Sequence, residues 1–203
     1  MEKKMQPVKF EGYKPYTFPN GDKYDGSWKN GLMEGEGKYS YINGNIYIGQ
    51  FSNGKFEGKG QLKWKSGNIY EGDFKEGIIT GYGKKYYIDK NIYEGNWKNG
   101  VKEGKGTMYY PSGAKYIGDW KNDIREGKGV YFWDGLNRYE GDFKNDFIEG
   151  KGKMYYDNGD ICDGEWHHNV RNGVCLYYHN DVGKWRKELY KNDAYMKPLS
   201  DFI

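Results

Sequence analysis

Apolar and polar residues alternate along most of this chain, and the alternation resets at a fixed interval. Tyr24, Tyr47, Tyr70, Tyr93, Tyr116 and Tyr139 stand 23 residues apart, with Cys162 in the next slot. Two residues on comes a glycine: Gly26, Gly49, Gly72, Gly95, Gly118, Gly141 and Gly164. Two further on comes an aromatic: Trp28, Phe51, Phe74, Trp97, Trp120, Phe143 and Trp166. Paired glycines follow, from Gly35/Gly37 to Gly150/Gly152, and the seventh pair reads Gly173/Cys175. Tyr16 and Phe18 open the array as a half-repeat; Trp185 and Leu189 occupy the next Tyr and Trp/Phe slots, with Lys187 where glycine would stand. A period of this length marks a repeat array, in which each unit buries its apolar face against its neighbours. The reading divides the chain into an N-terminal extension (1–15), about seven units (16–182), and a degenerate eighth unit with a tail (183–203).

Each unit reads as two short strands. Gly37 to Tyr41 alternates, Asn43-Gly44 turns the chain, and Ile46 to Phe51 alternates again. Asn-Gly between alternating segments is a strong hairpin signal, because both residues accept positive φ. The stretch from Lys29 to Glu36 reads as a polar link to the next hairpin. Strand period 2 then puts Gly37, Tyr39 and Tyr41 on one face, and Tyr47, Gly49 and Phe51 on one face of the partner strand. A residue without Cβ lets a neighbouring ring lie on the backbone, so the glycines are expected to seat rows of stacked aromatics. The fold class expected is all-β, a single elongated, twisted antiparallel sheet of consecutive hairpins. Past Lys184 the glycine pattern stops; Trp185, Leu189 and Asn192 or Tyr195 fit one side of a short C-terminal helix before Pro198, and Trp185 and Leu189 are the candidates to close the last hairpin.

Composition agrees with this picture. Aromatics make up 19% of the chain and there are 32 glycines, so aromatic burial stands in for an aliphatic core and long helices are disfavoured. With 32 basic and 29 acidic residues there is no large basic field to drive nucleic-acid binding. No apolar run has the length of a signal h-region or a membrane span. Two cysteines without an Asn-x-Ser/Thr sequon point to a reducing, cytoplasmic setting.

The pattern Tyr-x-Gly-x-Trp/Phe-x-x-Gly-x-x-x-Gly-x-Gly, clearest from Tyr24 to Gly31 and from Tyr93 to Gly100, resembles the MORN (membrane occupation and recognition nexus) repeat. The resemblance implies a solenoid of hairpins that anchors assemblies: such proteins link the cytoskeleton to membranes or sit in ciliary and flagellar structures, including radial spoke heads. One departure stands out. Family repeats often carry His just before the first glycine of the pair, where this chain has Glu34, Glu57, Thr80, Glu103, Glu126, Glu149 and Asn172.

Candidate chemistry is sparse. No nucleotide loop is present, and carboxylates recur once per repeat rather than as one tuned pair, so no catalytic residue, no cofactor and no enzyme is expected. Cys162, Cys175 and His179 share face parity, with His167 and His168 nearby, but lack Cys-x-x-Cys spacing; Cys162 reads as a small buried substitute for Tyr, and no metal site is expected. Two surface rows remain. Tyr86, Tyr109, Phe132, Tyr155 and Tyr178 should point away from the glycine-seated face, flanked by Ile69, Ile92 and Ile161, and could anchor a partner helix, a peptide or a second array. Lys75, Lys98, Lys121 and Lys144 follow the Trp/Phe slot and could instead meet anionic phospholipid headgroups. Phe202 and Ile203 offer a further partner-binding tail. The expectation is a non-enzymatic scaffold or adaptor that binds a partner protein, with homo-association or a peripheral lipid-binding role as alternatives.

Overall fold

The computed structural model describes residues 10–133 and 135–203; most of the N-terminal extension lies outside them. Every element among the described residues is a strand, eighteen in all, each antiparallel to its partners. The chain divides into two units, Met1–Val101 and Lys102–Ile203. In the first, β1 (Gly12–Tyr13) and β2 (Tyr16–Thr17) both pair with β3 (Lys23–Lys29). Then β4 (Leu32–Ser40), β5 (Ile46–Ser52), β6 (Lys55–Lys63), β7 (Ile69–Lys75), β8 (Ile78–Tyr86) and β9 (Ile92–Lys98) follow, each paired with the one before. The second unit repeats this order with β10 (Val101–Tyr109), β11 (Lys115–Lys121), β12 (Ile124–Phe132), β13 (Arg138–Lys144) and β14 (Phe147–Tyr155). It ends with β15 (Ile161–His167), β16 (Val170–His179), β17 (Lys184–Lys191) and β18 (Ala194–Pro198). The repeat register reaches back beyond Tyr16: Gly12 faces Trp28 as Gly35 faces Phe51.

The stretch read as a polar link is itself a hairpin. Asn30 and Gly31 carry φ of 51° and 80° between paired Lys29 and Leu32, a two-residue turn with both centres left-handed. In the second unit the same job falls to Asn122-Asp123, Asn145-Asp146, His168-Asn169 and Asn192-Asp193. Alternation is hidden here because the first glycine of each pair sits in a bulge. Gly118 faces Gly129, yet Trp120 faces Arg125, so the register slips beside Asp119 and Gly127 takes φ 87°. The Asp119 carboxylate accepts the Lys128 N–H at 3.1 Å, satisfying a donor the bulge displaces from the ladder.

The second glycine of the pair is the seat. A Cβ built on Gly129 would lie 2.5 Å from Cε2 of Tyr116. Tyr24, Tyr47, Tyr70, Tyr93, Tyr116 and Tyr139 are buried to 1% exposure or less, and the Trp/Phe slot is nearly as dry. The rings do not stack in rows as expected but meet edge to face: Tyr116 lies 5.3 Å from Trp120 at 86° and 4.9 Å from Phe143 at 76°. That geometry sets the positive ring edge against the negative face. Each buried hydroxyl keeps a partner; Tyr116 donates to the Asp119 carbonyl at 2.9 Å, and the Trp166 indole N–H donates to the Gly152 carbonyl at 3.1 Å. Burial pushes the tyrosine hydroxyls up, to about 12 for Tyr24.

The C-terminal segment corrects the sequence reading twice. No helix forms; Asn192 and Asp193, with φ of 48° and 64°, close a β17–β18 hairpin. The register also gains one residue in the preceding loop. Tyr178 pairs with Trp185 where Tyr155 pairs with Ile161, so Arg186, Glu188 and Tyr190 occupy the Tyr, Gly and Trp/Phe slots, not Trp185, Lys187 and Leu189. Glu188, at 1% exposure, fills the glycine slot of Gly118 and Gly164, with Oε2 accepting the Tyr190 hydroxyl at 2.7 Å and Oε1 accepting Arg186 Nη2 at 2.6 Å. Burial raises the Glu188 carboxyl, but bonds from Tyr190, Arg186 and His179 outweigh it and hold the group below its ordinary value.

Candidate partner-binding faces

The outer row is placed by strand parity. Tyr109 is 42% exposed beside buried Met108, and Tyr86, Phe132, Tyr155 and Tyr178 are half-buried. Isoleucines lie directly across: Tyr86 faces Ile69 and Ile92, and Tyr155 and Tyr178 both face Ile161. Cations already occupy some of the ring faces. Lys115 Nζ lies 4.6 Å from the Phe132 ring centre, and the Arg138 guanidinium lies 3.8 Å from that of Tyr155. The candidate lysines Lys75, Lys98, Lys121 and Lys144 are exposed at strand ends. The other lysine row is neutralised by the strand opposite: Lys59–Asp73, Lys105–Asp119 and Lys128–Asp142 approach within 2.6–2.7 Å.

On the glycine-seated face the aromatic tier read at Tyr39 and Tyr41 recurs in later copies. In the second unit Tyr131 and Trp133 meet at 4.7 Å, with Tyr110 6.0 Å from Tyr131. Beside them opens a cavity of about 280 Å³ lined by Arg125, Tyr131, Trp133, Phe143, Ile148, Met154 and Asn169. The Arg125 guanidinium lies 5.6 Å from the ring centres of Tyr116, Tyr131 and Phe143, and its Nε bonds Asp146 at 3.0 Å. Tyr110, Trp133 and Tyr156 hold the Tyr41 slot at the period of 23; the sequence places that slot on the face of Gly37 but does not show the cavity beside it.

The cysteines and histidines do not converge. Cys162 and Cys175, read as unpaired buried hydrophobes, are joined as a disulfide across β15 and β16, which removes both thiolates from any zinc set. His179 turns instead to Glu188, at 2.8 Å. His167 and His168 lie elsewhere, beside Glu149. The terminal Phe202 packs 4.5 Å from the Arg186 guanidinium, and Ile203 exchanges backbone bonds with Trp185.

Seven consecutive copies of the MORN repeat match the sequence at 24–46, 47–69, 70–92, 93–115, 116–137, 139–161 and 162–181. The chain belongs to the MORN repeat family. Each matched copy begins at the buried Tyr slot, or at Cys162 in the last. Among curated proteins no match was found. Among solved structures, the fold is similar to the TCP domain of SAS-4 from Drosophila melanogaster, solved in complex with a proline-rich motif of Ana2. The TM-score is 0.50 at 15% identity, covering 88% of this chain and 90% of that one. The TCP10 domain of Danio rerio CPAP aligns at TM-score 0.28 and 11% identity, over 93% of this chain and all of that one.

Proposed function

We propose that this chain is a non-catalytic repeat scaffold that captures an extended, proline-containing segment of a partner protein in a cytoplasmic, cytoskeleton-associated assembly. The observation that carries the reading is the cavity between Tyr131, Trp133 and Arg125 on the glycine-seated face. Polyproline II segments dock on aromatic-lined grooves because they arrive pre-ordered and present flat prolyl rings. The proline-rich motif bound by the Drosophila domain supports this chemistry. The outer row is the competing face; its rings carry Lys115 and Arg138, which leave less open aromatic surface.

Titration with short proline-rich peptides separates the two faces. Tyr131→Ala/Trp133→Ala should weaken binding about thirtyfold or more, as central aromatic anchors do. Tyr109→Ala/Phe132→Ala/Tyr155→Ala should leave it within a few-fold of the parent. The reverse pattern moves the interface to the outer face. Salt-sensitive binding to phosphatidylserine vesicles, abolished by Lys98→Glu/Lys121→Glu/Lys144→Glu, would replace this reading with a lipid-binding one.

A further inference from the structure

The regularity of the array makes single departures informative. At most two-residue turns the carboxylate in the slot before the first bulge glycine reaches forward 19 residues to accept the first turn N–H: Glu103 takes Asn122 at 3.0 Å and Glu126 takes Asn145 at 3.0 Å. The last strand residue and the first turn residue are usually Lys-Asn, as in Lys98-Asn99, Lys121-Asn122 and Lys144-Asn145. Ser52-Asn53 and Lys75-Glu76 each change one of the two, and one hairpin changes both, to His167-His168. Glu149 Oε2 still accepts the His168 N–H at 2.9 Å, so the local fold is unchanged. What changes is the chemistry placed beside the second carboxylate oxygen.

Glu149 Oε1 lies 2.8 Å from His167 Nδ1, which fixes that nitrogen as the N–H donor and leaves the Nε2 lone pair outward. That lone pair faces His168 Nδ1 at 3.0 Å. The Phe147 ring, 5.0 Å from that of His168, backs the second imidazole. This is the arrangement of a metal-ligating histidine whose far N–H is held by a carboxylate. Imidazole nitrogens ligate copper, nickel and zinc alike, and affinity along the divalent series peaks at Cu²⁺.

We propose that His167 Nε2 and His168 Nδ1 chelate one divalent transition ion of the Cu²⁺ or Ni²⁺ type, with Glu149 orienting His167. No net proton need leave: the hydrogen on His168 Nδ1 passes to its own Nε2, and a rotation of the exposed His168 ring turns both lone pairs onto the ion. The site is exposed at a hairpin end, so water fills the remaining positions. It is independent of the aromatic cavity and of the peptide-binding reading.

The test uses the untagged, metal-stripped full chain with its disulfide intact, and CuCl₂, NiCl₂ and ZnCl₂ in turn as probes. Equilibrium dialysis should give one Cu²⁺ per chain, held at least tenfold tighter than Zn²⁺, with a two-nitrogen imidazole signature in the electron paramagnetic resonance spectrum. His167→Lys/His168→Asn, which installs the residues of the neighbouring turns, should lose at least tenfold in affinity without a change in melting temperature. Glu149→Gln should weaken binding by roughly 10–100-fold. Binding that survives the double histidine variant would place the ion at His179 and overturn the proposal, as would weak, non-stoichiometric uptake or a preference for zinc.

Discussion

The two glycines of each pair have different duties, and substitution separates them. Gly129 has no room above it, because a Cβ would enter the ring of Tyr116, itself fully buried. Gly129→Val should therefore cost about 1–3 kcal/mol in chemical denaturation, by overpacking a seat that cannot widen. A denaturation midpoint equal to the parent's would remove the ring-on-glycine account. Glu188 shows what happens when a glycine slot has no ring to hold. Its folded-state carboxyl is held below the ordinary range, so its stabilisation is present above about pH 4.3 and is lost as pH falls through the lower folded value. Glu188→Gln should lower the melting temperature at pH 7, and the difference from the parent should shrink towards pH 3. A constant gap across that range would show that the loss is one of packing alone.

The seventh hairpin applies the same contact with other atoms. Elsewhere the ring of a core tyrosine lies over the glycine 13 positions on, as Tyr139 does over Gly152. Cys162 and Cys175 hold those two positions and are bonded, so a covalent link stands where ring and backbone otherwise touch. Cys162→Tyr alone should destabilise the chain by driving a ring into Cys175. Cys162→Tyr/Cys175→Gly should recover, and its melting should no longer respond to dithiothreitol, whereas the parent should lose about 3 kcal/mol on reduction, as expected for a short closed loop. Equal melting of the single and double variants would mean that the two positions are not exchanged as a pair. The hairpins and their core slots were legible because Tyr, Gly and Trp/Phe recur at one period. What escaped is what breaks alternation locally: the bulge beside Asp119 disguised a two-residue turn as a polar link, and one extra residue before β17 moved Glu188 into a slot that numbering by 23 had given to Lys187. The cavity beside Trp133 escaped because it depends on how far Arg125 and Ile148 reach, which no period records.

Across the molecule, five fully buried tyrosines, Tyr24, Tyr47, Tyr70, Tyr116 and Tyr139, hold their protons well above pH 10. A raised folded-state value contributes stability that is complete below the unfolded value and is lost as pH rises past it. At roughly one unit above pH 10 each such hydroxyl forfeits about 1.4 kcal/mol, and the five together approach the whole stability of a typical domain. The chain should therefore unfold cooperatively between about pH 10 and 12, with tyrosinate absorbance rising in step with loss of the β signal. Independent, gradual ionisation would contradict the sealed core. The caps that cross from one hairpin to the next, Glu126 to Asn145 over 19 residues and Asn137 to Asp157 over 20, have a consequence for inheritance. Unequal recombination between two copies removes or duplicates 23 codons, and every remaining carboxylate then meets a backbone donor of the same kind. A gain within a copy shifts that spacing, as where the Arg171 N–H reaches Asp193 over 22 residues while Arg125 reaches Asp146 over 21. Removal of one whole copy from the middle of the array should therefore leave a folded, shorter chain, whereas the register gained before Glu188 makes the last hairpin a poor substitute for an inner one.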